Sequence, residues 1–401
     1  MKPPSLLSRL VARRSKRLSW NDSPDTEYAR LYSITLGFMT SGEPVLIPAG
    51  TVFTAEDLTF YADRDSRSLD DAIADADLLV SCPHSGSAIP AELSRFLAPE
   101  FTQRLQFDFT DMSTSPIVRR WAEIDSRIVY VENPHPRMIR DPNRAKPENL
   151  EASLREAFAR VHEAGAGNKA DLAGVDAVRP VTFSFYPLLL EPTDDAGWKD
   201  LAETFTETAE HGLGVYERTR DALIEAMVAK SFELGRSFTT LSFHDTMNHT
   251  TRQDGAVNVE RPEADRLPDV VALSNRGDHD GNRRGDNPVT MDPELIRTLA
   301  ISHRKGFQVD DPDAVALNQP YLGSFEIIRA GARFAELSAR AAEAGITLSA
   351  VQAEFKREFL LGDELAAYIM EPGVDWPTPD AERVDQLAHA CKASWDHYRN
   401  S

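Results

Sequence analysis

Hydrophobic residues in this chain gather into short runs set apart by longer polar stretches. The sharpest run is Leu78-Leu79-Val80-Ser81-Cys82, closed by Pro83-His84-Ser85-Gly86. A brief apolar block between turn-forming residues predicts a buried strand. Residues 127–131 (Arg-Ile-Val-Tyr-Val) predict a second strand, with a helix over 115–121 between the two. Strand, helix, strand in that order suggests a βαβ unit. Further strands are predicted at 238–243, 270–273 and 346–352, while 181–187 reads as a strand or an extended wall. A helical tract is expected over 200–234 with interruptions at Gly212 and Gly214. Another covers 291–303, where Pro293 and two acids stand in the first turn, and others cover 334–344 and 379–398. The alternation of strands and helices places the chain in the α/β class.

Before this region the pattern changes. From Leu31 to Phe60, β-branched and aromatic residues alternate with turn signals such as Ser41-Gly42-Glu43-Pro44 and Pro48-Ala49-Gly50. This predicts a small β-rich extension over 31–76, ahead of a single α/β domain over 77–401. Residues 1–30 are expected to be a flexible basic arm, since Lys2, Arg9, Arg13, Arg14, Lys16 and Arg17 precede the first acid, Asp22. A secretory signal would need an apolar stretch of roughly seven residues or more, which these residues lack.

Composition narrows the function. Apolar residues make up 41% of the 401 and charged residues 27%, enough for an ordinary core. The formal charge of −20 argues against a nucleic-acid protein, because phosphate binding needs a basic face. It leaves room for a locally positive pocket and a small anionic substrate. Cys82 and Cys391 are the only cysteines, so no disulfide framework is expected and a cytoplasmic location is the natural expectation. No apolar run approaches the 18 or so residues of a membrane span. Oligomeric state is not legible.

Candidate chemistry collects at predicted strand ends. His84 closes the first strand, His244 closes 238–243, and Asp108 and Asp111 precede the helix at 115. Two histidines and a carboxylate from separate loops are the usual equipment of a catalytic zinc site. Each residue is also compatible with a structural role, His244 as a core histidine and Asp111 as a helix cap. Arg144 offers a planar fork for a carboxylate with Asn143 beside it, and Arg137 and Arg140 are further candidates. Residues 318–325, including Tyr321, form a turn-rich aromatic loop fit to line a pocket. Glu354 would serve as a general base, or else pair with Lys356 or Arg357.

Taken in order, these segments resemble the N-formylglutamate amidohydrolase family. The matching elements are Pro83-His84-Ser85-Gly86, the acidic stretch 108–111, Arg137 with Asp141-x-Asn143-Arg144, and the strand ending in His244. Asn318-x-Pro320-Tyr321-x-Gly323 and Gln352-x-Glu354-x-x-Arg357 complete the set, which spans about 77–361. The resemblance implies a zinc-carboxypeptidase-like hydrolase fold, with a mixed, largely parallel central sheet flanked by helices. It implies zinc held by His84, Asp111 and His244, with Asp108 as the substitute for Asp111. It further implies that Arg144 and Asn143, with Arg137 and Tyr321 nearby, bind a small anionic N-acyl amino acid while Glu354 acts as base and then acid. A zinc carboxypeptidase or deacylase with another substrate is the second reading. A non-catalytic relative that binds an anionic metabolite or partner is the third.

Overall fold

The computed structural model describes residues 42–373 and 375–401. The basic arm over 1–30 and the opening of the expected β-rich extension lie outside the described residues. Eleven strands are described: β1 (Leu46–Ile47), β2 (Thr59–Phe60), β3 (Leu78–Cys82), β4 (Ile89–Pro90), β5 (Ile128–Glu132), β6 (Phe238–Thr246), β7 (His249–Thr251), β8 (Val257–Glu260), β9 (Val271–Ser274), β10 (Val315–Leu317) and β11 (Leu348–Lys356). Seven of them form one sheet in the order β10-β9-β11-β6-β3-β5-β2. The central four, β11, β6, β3 and β5, run parallel; β2 and β9 join their neighbours β5 and β11 antiparallel. The fold is therefore α/β, with a mixed, largely parallel sheet between helices.

β3 lies near the middle of the sheet and all five of its residues are buried, which is why its apolar run is continuous. Its side chains alternate between faces. Leu78, Val80 and Cys82 pack with helices Thr114–Ile124, Pro293–Gly306 and Ala381–Arg399. Leu79 packs on the other side with helices Leu213–Leu234 and Phe325–Glu336. That second face changes character toward the carboxyl ends of the strands. Leu79 is followed there by Ser81, Phe238 and Thr240 by Ser242 and His244, and Ala350 by Gln352 and Glu354. The strand ends of an open parallel sheet are where ligands collect, and here the sequence itself turns polar at that edge.

Several elements differ from expectation. Between Gly42 and Ala76 the chain forms only two two-residue strands, together with helices Ala55–Leu58 and Leu69–Asp75. Thr54 and Ser68 cap these helices by accepting from Asp57 N and Asp71 N, chemistry that strand alternation does not reveal. β2 then becomes the edge strand of the main sheet. Residues 181–187 form a turn rather than a strand, closed by Val181 against Pro187 with Phe185 at φ 64°. The tract expected over 200–234 is two helices, Asp195–His211 and Leu213–Leu234, broken at Gly212 but continuous through Gly214. A Cβ on Gly212 would stand 2.2 Å from His135 Nε2, so the break sits where the backbone presses on an imidazole.

Candidate metal centre

His84 hangs from the turn after β3, and the turn is rigid. Asn133 Nδ2 donates to Pro83 O at 2.7 Å, and Asp111 N donates to His84 O at 2.7 Å. Gly86 permits the close approach of the next strand connection: a Cβ there would lie 2.0 Å from the Pro134 carbonyl carbon. Asp111 precedes helix Thr114–Ile124 without capping it by its side chain. His244 lies within β6, whose alternation points it to the polar face.

These three residues converge. Asp111 Oδ2 stands 3.4 Å from His84 Nδ1 and 3.1 Å from His244 Nδ1, and one donor atom from each of the three falls within 4.8 Å of the others. Ligand atoms at 2.0–2.1 Å around a tetrahedral zinc are separated by about 3.3 Å, so both histidine–carboxylate edges fit. All three side chains are buried, and His84 Nδ1 has no hydrogen-bond partner. A buried nitrogen without a partner costs free energy unless something takes its lone pair, and a cation between these atoms would do so. The residues present therefore fit a divalent metal. Asp108 is half-buried and lines the same cavity, but it accepts from Thr251 Oγ1 at 2.7 Å and lies outside the trio.

Each histidine is oriented from behind. His84 Nε2 meets Asp141 Oδ1 at 3.0 Å, and Arg137 grips the other oxygen through Nε at 3.2 Å and Nη2 at 3.0 Å. Burial and Arg137 favour neutral His84, yet Asp141 and Asp111 together raise its pKa above the ordinary value. Burial likewise opposes ionisation of Asp141, but Arg137 and His84 hold it well below the usual carboxylate range. His244 Nε2 meets Ser242 Oγ at 2.9 Å. The role of Asp141 was missed from sequence, although the residue stands in the quoted Asp141-x-Asn143-Arg144 motif; only its spacing from Arg137, four residues, hinted at a pair.

Glu354 on β11 pairs in register with His244 on β6. Thr246 Oγ1 donates to its Oε1 at 2.6 Å and Gln352 Nε2 to its Oε2 at 2.7 Å. The alternative ion pairs are not formed: Lys356 reaches Asp269 at 2.9 Å, and Arg357 is bound to Asp245 and to Thr110 O. His249, on β7, joins Glu358 at 3.1 Å and stays outside the trio.

Above the trio lies a cavity of about 620 Å³. Arg137, Arg144, Lys169, Arg261 and Arg357 line it together with Asp108, Asp111, Asp245, Asp265 and Glu354, so cations and carboxylates face the same space. Asn143 lines it with a buried Oδ1 that has no partner, and Arg144 Nε holds Asp176 at 2.6 Å. Tyr321 accepts from Arg261 Nη1 at 3.0 Å, while Arg140 turns away to Glu217 at 2.6 Å. Phe183 and Phe185, from the turn read as an extended wall, form an aromatic side.

The fold and site together define an α/β protein with a buried candidate metal centre beneath a cavity lined by both cations and carboxylates, at the carboxyl edge of its sheet. The family model described as N-formylglutamate amidohydrolase matches residues 76–361, and the chain belongs to that family. Among solved structures, N-formylglutamate amidohydrolase from Ralstonia eutropha JMP134 is 19% identical, covering 86% of this chain and 98% of its own, with a TM-score of 0.49. A gene product of Agrobacterium tumefaciens is 15% identical, covering 84% and 95%, with a TM-score of 0.37. No curated protein matches the chain. Among the described residues, no helix is long and apolar enough to cross a membrane.

Proposed function

We propose that this chain is a zinc-dependent amidohydrolase that removes a formyl or other small acyl group from the nitrogen of a carboxylate-bearing amino acid, N-formylglutamate being the first candidate. The observation that carries this reading is the register pair of His244 and Glu354, a metal-competent histidine beside a carboxylate in a cavity that also presents five cationic side chains. Zinc held by His84, Asp111 and His244 would supply Lewis-acid polarisation of the acyl oxygen and a water nucleophile near neutral pH. Glu354 takes a proton from the attacking water and returns it to the departing nitrogen. A C–O bond forms as the C–N bond breaks, and formate leaves with the free amino acid. Thr246 and Gln352 hold both oxygens of Glu354 in place for this exchange. Arg144 and Asn143 receive the substrate carboxylate, Arg137 adds positive charge beside them, and Tyr321 closes the wall.

The size of the cavity favours a second reading with the same chemistry. A volume of 620 Å³ falls in the range that holds drug-sized ligands, with room for an acyl group larger than formyl against Phe183 and Phe185.

Protein purified without added metal is expected to carry about one zinc per chain. The double variant His84→Ala, His244→Ala is expected to carry none by elemental analysis. Undiminished zinc in that variant would remove the ligand set. Formate release from N-formyl-L-glutamate, compared with a panel of longer N-acyl amino acids, separates the narrow activity from the broad one. No cleavage of any of them by the zinc-loaded protein would overturn the enzyme reading.

A further inference from the structure

We propose that Glu326, acting through Ser242, sets which nitrogen of His244 faces the metal position, making Glu326 and Ser242 positioning residues for the centre. The inference rests on the metal reading of "Proposed function". Glu326 is the second residue of helix Phe325–Glu336 and is buried behind the sheet, although its helix packs mostly by apolar contacts. Its Oε2 accepts from Ser242 Oγ at 3.1 Å and from Ser81 Oγ at 2.8 Å. Its Oε1 accepts from Tyr216 OH at 2.6 Å and from Arg220 Nη1. Four donors fill the acceptor sites of one carboxylate, so this buried network is satisfied throughout at Glu326.

The direction of each bond follows. An ionised carboxylate only accepts, and buried Arg220 keeps Glu326 ionised. Ser242 has one O–H and commits it to Glu326, so its oxygen can only accept from His244 Nε2 at 2.9 Å. Nε2 therefore carries the proton, and Nδ1, the atom 3.1 Å from Asp111, is left with its lone pair. Asp141 imposes the same choice on His84 directly, at Nε2. Two buried carboxylates thus aim the Nδ1 atoms of the two histidines at one point, one by direct contact and one through a hydroxyl. Orienting groups of this kind typically govern metal affinity by 10- to 100-fold.

The test measures zinc affinity by competition with a chromophoric chelator and records the visible spectrum of the cobalt-loaded protein. Ser242→Ala is expected to weaken zinc binding about 10- to 100-fold and to shift the cobalt bands. Glu326→Gln is expected to act in the same direction. Arg220 and Tyr216 would draw the amide oxygen to their side, turning the NH₂ toward Ser242 and reversing the hydroxyl. A purely structural role predicts a lower Tm with zinc affinity within twofold of the parent in whichever variant folds, and that result overturns the inference while leaving the metal reading intact. A parent protein that binds no zinc overturns both.

Discussion

Replacing Glu354 with glutamine is expected to lower turnover of an N-acyl amino acid roughly 100- to 10,000-fold, the usual contribution of a positioned general base. The substitution is nearly isosteric, so the loss can be assigned to chemistry. Thr246 Oγ1 can still donate to the amide oxygen. Gln352 now donates to Glu354 Oε2, and its own Oε1 is buried without a partner. A flip of the Gln352 amide would present that oxygen to the new NH₂ and satisfy both groups. Zinc content and Tm should therefore stay close to the parent while kcat falls. Turnover near the parental rate in a zinc-replete Glu354→Gln protein would exclude Glu354 from proton transfer. A rise in KM with kcat unchanged would make it a binding residue instead.

Glu354 also shows where sequence reading reached its limit. The strand was expected to end at Gln352, but β11 runs to Lys356. Its last turns toward the site are polar on one face, so the apolar signal fades where the function begins. β3 has the opposite character: every residue is buried, and the Pro-His-Ser-Gly turn follows at once, so both strand and His84 were legible. The trio itself was legible in residue type and order, because His84 follows a strand, Asp111 precedes a helix, and His244 follows the apolar part of β6, although that strand runs on to Thr246. The groups that orient them were not. Asp141 meets His84 across 57 residues and Glu326 meets Ser81 across 245, distances at which periodicity carries no information. Residues 181–187 misled for a related reason, since an apolar alternation looks alike in a strand and in a tight turn that presents aromatic rings to a cavity. β10, with three residues, is shorter than any window that could have identified it.

Acidification should destabilise the fold steeply between pH 6.5 and 4, through two histidines that take no part in the candidate centre. Burial lowers the pKa of His135 to about 4, and it does the same to His303. The geometry explains both. His135 Nδ1 donates to Ala88 O at 2.7 Å, and its Nε2 is buried with no partner, pressed by Gly212 and edged by Phe53. Burial outweighs the backbone of Ala88 and Thr208 and the charge of Glu92, which favour the protonated ring. His303 Nδ1 donates to Leu299 O at 2.9 Å, with Phe307 and Trp395 packed around the ring. In the unfolded chain each imidazole titrates near 6.5. Between that value and 4 the unfolded state therefore binds more protons than the folded one, and stability falls as pH falls. The contribution is fully present above pH 6.5 and is lost by about pH 4, at about 3 kcal/mol for each histidine. Urea unfolding at pH 7 and at pH 4.5 should show this loss as a lower midpoint with an unchanged slope. In His303→Gln the pH dependence over that window should shrink by about one proton. An equal pH dependence in parent and variant would mean that His303 takes up its proton in the folded state, and that the core around Trp395 admits charge.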